Sequence, residues 1–131
     1  MAYTTSSGKV HFVRGNATAA QVNAGKLIVQ PRKGKKLVVT GGHMVALGGN
    51  AATATSVDIA DTAGTPVVAV ACGVAGLTQN TRLDFRAASN VTLTTFQVAL
   101  TAEKGLQIIK AGSDLATATS VDYYVEYIYA D

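Results

Sequence analysis

Hydrophobic and polar positions alternate with a period of two along almost the whole chain, the spacing at which side chains point to opposite faces of a β-strand. Val10, Phe12 and Arg14 alternate with His11 and Val13, which puts His11 on the solvent or partner face, opposite Val10 and Phe12. Lys26–Gln30 forms a short run closed by Pro31, and Lys36–Thr40 forms another, ended by Gly41-Gly42. Met44–Leu47 stops at Gly48-Gly49-Asn50; Thr53, Thr55, Val57 and Ile59 then share one parity, with Ala54, Ser56 and Asp58 on the other. After the turn Asp61–Pro66, Val68, Val70, Cys72 and Val74 line one face, and Ala69, Ala71 and Gly73 make a small-residue face. Arg82–Arg86 follows a loop at Gln79-Asn80. Parity flips between Val91/Leu93 and Phe96/Val98/Leu100, which predicts a β-bulge at Thr94-Thr95. The clearest strand is the last: Val121, Tyr123, Val125, Tyr127 and Tyr129 alternate with Asp122, Tyr124, Glu126 and Ile128.

Helical signals are few. Ala17–Ala24 fits one short helix, with Asn16 as N-cap and Gly25 as stop, and Thr101–Lys104 fits a turn. Short strands separated by Gly, Asn, Asp and Pro clusters predict an all-β single-domain sandwich or barrel with at most one or two short helical turns. The heptapeptide Ala-Thr-Ala-Thr-Ser-Val-Asp occurs at Ala52–Asp58 and again at Ala116–Asp122. Both copies are expected to make the same kind of strand. They reflect either convergent strand composition or pseudo-symmetry between two halves, and two copies are too few for a solenoid.

Length and composition sharpen this picture. A chain of 131 residues is one domain, able to bury a core without disulfides or metal. Charged residues are 15% of the chain against roughly 25% in typical soluble domains, and small residues rather than Pro or Gln replace them. A surface of small uncharged residues suits packing against copies of the same chain or a lattice. The net charge of +3 is too mild, and its cations too dispersed, to predict nucleic-acid binding. The one basic run, Arg32, Lys33, Lys35 and Lys36 around Gly34, fits a solvated turn, with a contact to an acidic partner surface or a phosphate as the sharper alternative. Cys72, the single cysteine, fits core packing. Met1–Gly8 lacks the charged-then-apolar pattern of a signal peptide, and no apolar stretch approaches the roughly 20 residues needed to cross a bilayer, so neither secretion nor a membrane is expected.

Candidate chemistry is thin. His11 and His43 have no Gly-x-Ser-x-Gly elbow to serve, and His43, after two glycines, is expected at a loop edge with its ring in water. Asp58 and Asp61 are close in sequence but lack the Asp-x-Asp-x-Asp-Gly pattern of a calcium loop, and fit a turn. Asp122 and Glu126 lie too far apart along one strand face to act alone as a glycosidase pair. Tyr123, Tyr127 and Tyr129 share their parity with valines and fit a core or interface strand rather than a sugar platform. No catalytic group, metal or cofactor is expected.

The segment Gly105–Lys110, led by Lys104, followed by Ala116–Tyr127, resembles the close of small bacteriophage virion proteins. In those, a Lys-Gly-Leu strand, a Gly turn, a Thr/Ala stretch and a Val-Asp-x-x-Val-x-Tyr strand finish a jelly roll. Leu47-Gly48-Gly49, Val57-Asp58-Ile59 and Asp61–Thr65 are similar to the middle of such proteins, so the resemblance spans residues 34–130. It implies a jelly-roll sandwich over residues 9–131, preceded by a flexible arm at residues 1–8 that orders on a capsid. It further implies a decoration (cement) protein made in the host cytoplasm and carried on the virion surface, where it binds the major capsid protein lattice as a homo-oligomer, a trimer. Tyr3, Arg32, Lys33, Lys35 and Lys36 are the candidate partner contacts. Three alternatives remain: a tail- or head-fibre module recognising a bacterial surface glycan, a free-standing carbohydrate-binding or weakly hydrolytic sandwich, and a cage-forming subunit.

Overall fold

The computed structural model describes residues 9–87 and 89–131. The expected arm at residues 1–8, with Tyr3, lies outside the described residues. Among the described residues nine strands follow one another: β1 (His11–Thr18), β2 (Lys26–Val29), β3 (Lys36–Leu47), β4 (Ala51–Asp61), β5 (Val68–Gly73), β6 (Arg82–Asp84), β7 (Val91–Leu93), β8 (Leu106–Thr117) and β9 (Ser120–Ala130). One short helix, α1 (Ala19–Ala24), and a 3₁₀ turn at Val74–Gly76 complete the elements.

The strands form two antiparallel sheets, β1-β9-β3-β6 and β2-β8-β4-β5-β7. Their pairs are nested: β1 with β9, β2 with β8, β3 with β6, and β4 with β5. That is one long hairpin rolled up, with β3–β9 and β4–β8 ladders closing the roll. The fold is therefore a jelly-roll sandwich. Leu37, Val39, Met44, Val121, Val125 and Phe85 come from the first sheet and its flank, Val57, Ile59, Val70, Cys72, Leu106 and Ile108 from the second; all belong to one buried core cluster.

Several local expectations are corrected. Helix α1 is capped by Thr18, not Asn16: Thr18 Oγ1 accepts the Gln21 N–H at 3.2 Å, and Gln21 Oε1 accepts the Thr18 N–H at 2.9 Å. Such a reciprocal box satisfies donors that a helix start leaves open. Gly25 does terminate the helix. Gly41-Gly42 does not break the chain into two strands, because β3 runs through it with a register shift between Val39 and Gly41. Gly42 has φ +144°, and a Cβ there would strike the Tyr124 carbonyl and come within 2.6 Å of the Phe85 ring. The glycines thus admit a close neighbour instead of ending an element.

The parity flip after Leu93 is a change of sheet rather than a bulge within one strand. Thr94 and Thr95 both donate to the Ala69 carbonyl, and then Gln97 and Leu100 donate to Val39 and Leu37 of β3. On β1 the inward residues are the odd ones ending at buried Ala17, so Val10 and Phe12 face out and His11 is half-buried between Tyr127 and Tyr129. The two heptapeptides share a kink but not a strand. Ala52 lies opposite Ala116, Thr53 and Thr117 both have left-handed φ (+74° and +71°), and Ala54 and Ala118 are both buried. The first copy then continues along β4, whereas the second turns out of β8 and enters β9 at Ser120.

Candidate functional site

The outward face of the four-stranded sheet gathers the chain's most varied side chains. Strand register sets them in rows. One row runs Asn16, Asp122, Val45 and Arg82; the next Arg14, Tyr124, His43 and Asp84; the third Phe12, Glu126 and Gly41. Neighbours on one face, both across strands and two residues apart along one strand, are close enough to interact, and they do. Asn16 Nδ2 donates to Asp122 at 2.8 Å, Tyr124 Oη to Glu126 at 3.0 Å and Arg82 Nε to Asp84 at 2.8 Å. The Tyr124 ring stacks on His43 with centroids 5.3 Å apart, and the Phe12 ring tilts against Tyr124 at 5.5 Å.

Two hollows flank the Tyr124–His43 stack. The larger, of about 580 Å³, lies above Gly41 between Arg82, Asp84, Arg86 and Glu126. Arg86 is fixed there by a 3.1 Å hydrogen bond to the Thr40 carbonyl and by the Phe96 ring 4.9 Å from its guanidinium. The second, of about 530 Å³, is lined by Arg14, Asn16, Val45 and Asp122. His43 is a mid-strand residue at this site, not a loop-edge one. Burial and the Arg82 charge lower its pKa, against an opposing pull from Asp84, which favours the uncharged ring. The hydrogen bond to Glu126 is the main cause that raises the Tyr124 pKa. The face thus offers both signs of charge, an imidazole and an exposed phenyl ring, an arrangement suited to recognition of a polar surface.

The basic turn stands apart from this face. It is a turn between β2 and β3, as the sequence implies, but its cations have internal work. The Arg32 guanidinium lies 3.9 Å from the Tyr129 ring centroid, Lys35 pairs with Asp131, and the Gly34 N–H donates to Glu103. Lys36, half-buried, opens β3 opposite Ala130, while Arg32 and Lys33 are both exposed at the tip. Arg32, Lys33, Lys35 and Lys36 are brought together, yet two of them hold the end of the sandwich shut.

Asp58 and Asp61 lie on β4 and are buried, which corrects their reading as a turn. Ser56 Oγ donates to Asp58 at 2.6 Å, but burial dominates and raises the Asp58 pKa. Burial also pushes Asp61 upward. Four hydrogen bonds outweigh it, from Thr101 Oγ1 (2.5 Å) and from the N–H groups of Val67, Thr101 and Ala63, and hold Asp61 below the ordinary carboxylate range. Among the described residues no group of three or more His, Cys, Asp or Glu side chains is placed to hold a metal. Cys72 is fully buried, and burial with the nearby Asp58 charge pushes its thiol up to about 12.

Sequence reasoning missed the mixed-charge face because its members are scattered from Phe12 to Glu126 and meet only through the β1–β9–β3–β6 register. The one available signal was the even-parity row Asp122, Tyr124, Glu126, set against the odd-parity core row of the same strand. No protein-family model matches the chain, and the comparison with curated proteins gives no match.

Proposed function

We propose that this chain is a non-catalytic decoration protein of a bacteriophage capsid, which binds the major capsid protein lattice as a homo-oligomer, a trimer, and stabilises the shell. The observation that carries the reading is the outward face of the β1-β9-β3-β6 sheet, where aromatic and oppositely charged side chains stand in fixed rows. Intra-face pairs such as Asn16–Asp122 and Arg82–Asp84 hold these groups in place. Preorganised polar groups fix the register of a docked protein surface, and avidity across a lattice multiplies modest contacts. The jelly-roll fold and the chain's resemblance to small virion proteins agree with it.

The runner-up, a fibre module recognising a bacterial glycan, would draw on the hollow above Gly41. The Tyr124–His43 stack argues against it, because each ring turns a face to the other instead of offering it to a sugar. Co-sedimentation separates the two. Purified protein is expected to pellet with empty capsids of the phage that encodes it and not with host cells. The double charge reversal Arg82→Glu, Arg86→Glu is expected to weaken capsid binding at least tenfold while leaving the fold intact.

A further inference from the structure

The two sheets have four edge strands, and three are blunted. β6 and β7 are three residues long, and β2 is four, with a register shift and Pro31 just beyond its end. β1 is different. It has eight residues, pairs with β9 without a register shift from His11 to Thr18, and contains no proline. A long regular edge is a template for another strand, and proteins normally interrupt it.

Backbone hydrogen bonds show which residues face that edge. Along a strand, N–H and C=O groups turn alternately to the two sides. The Asn16 carbonyl is taken by Lys26 Nζ at 2.8 Å and the Thr18 N–H by the Gln21 side chain, so even residues of β1 face away from β9. The Ala19 N–H, of odd parity, donates to Thr119 on the β9 side. Val10, Phe12 and Arg14 therefore present their main-chain groups outward, between Lys9 and the end that Lys26 and Gln21 close. On the adjoining face Val10 is 59% and Phe12 62% exposed, the two most exposed large hydrophobic side chains among the described residues.

We infer that this edge binds the same edge of a second copy, antiparallel, about a two-fold axis through Phe12. In that register Phe12 lies opposite Phe12 of the second copy and Val10 opposite Arg14. Every open main-chain group of Val10, Phe12 and Arg14 gains a partner. Registers shifted toward Thr18 do not do this: moving the axis to Val13 places Val10 opposite Asn16, whose carbonyl is occupied, and moving it to Arg14 sets two guanidiniums face to face. The two phenyl rings cover each other, and the Arg14 stem covers Val10. A second copy is always present at the concentration of the first, and the segment is complementary to itself. The contact is isologous, so it joins protomers pairwise and lies outside any three-fold ring. It goes beyond the capsid reading and does not depend on it.

Cysteine cross-linking tests the register. Cys72 is fully buried and stays out of the reaction. Phe12→Cys is expected to give a reducible covalent dimer under mild oxidation, because opposite Cα atoms in a bonded antiparallel pair are about 5.5 Å apart, within disulfide range. Arg14→Cys is expected to give none, since the two positions would lie about 14 Å apart along the strands. Phe12→Asp is expected to raise the dimer dissociation constant at least tenfold by sedimentation equilibrium, with an unchanged circular dichroism spectrum. Equal cross-linking of the two cysteine variants, none by Phe12→Cys, or a wild-type dissociation constant unmoved by Phe12→Asp would overturn the inference. Capsid co-sedimentation is read separately, so failure of either claim leaves the other standing on its own result.

Discussion

At the scale of single residues, stability is concentrated where a special backbone or a buried charge is matched by its surroundings. Gly42 combines φ +144° with contact to the Tyr124 carbonyl and the Phe85 ring. Gly42→Ala is expected to destabilise the protein by at least about 2 kcal/mol in urea unfolding, while Gly34→Ala, with open space around its Cβ, is expected to cost about 1 kcal/mol from its φ alone. Asp61 ties the end of β4 to Val67 and Thr101. Asp61→Ala strands those donors and is expected to cost about 3 kcal/mol or more. Because the folded-state pKa of Asp61 is lowered, its contribution is full above the unfolded carboxylate pKa and is lost as pH falls through the folded value. Asp58 has the opposite sign: its raised pKa makes its contribution most favourable at low pH and removes it as pH rises through the folded value. Unfolding measured from pH 2 to 7 is expected to show Asp61→Asn flattening the acid limb and Asp58→Asn removing the opposing slope. Cys72, with a thiol near 12, is expected to resist thiol reagents in the native protein and to react fully once unfolded.

At the scale of elements, alternation made nearly every strand readable, and β9 most of all, since its odd row Val121, Tyr123 and Val125 is buried as expected. What could not be read was set by non-local partners. The Gly41-Gly42 pair looks like a terminator from composition, yet in β3 it is the site where β9 and Phe85 press close. The parity of β1 was misassigned because Phe12 is apolar and exposed, and nothing within the strand says which face meets the core. The two heptapeptides show the same limit from the other side. Identical residues give the same kink at Thr53 and Thr117 but different continuations, because β4 finds β5 and β8 beside it while the second copy meets β1 and β3. A β-branched residue at left-handed φ is strained, so Thr53→Gly and Thr117→Gly are expected to be neutral or stabilising by up to about 1 kcal/mol. Thr55→Gly, whose φ is not left-handed, is expected to destabilise by a similar amount; thermal melts of the three variants check the contrast.

At the scale of the whole molecule, a rolled hairpin converts one distributed pattern into two differently dressed surfaces. At one end Arg32 lies over Tyr129, with His11 and Tyr127 packed beside it. The four-stranded sheet carries the mixed-charge rows, and its β1 edge carries the open main chain. On the proposed capsid reading, opposite charges within those rows make attachment sensitive to salt, and binding is expected to weaken as ionic strength rises. The direct measurement of the proposed function is the copy number of this chain on empty capsids of the phage that the proposal takes to encode it, by quantitative sedimentation. The account predicts saturable binding at a fixed integer ratio to the major capsid protein, with shells that melt at a higher temperature. Absence of saturable binding, or occupancy that leaves the shell's melting temperature unchanged, would contradict it.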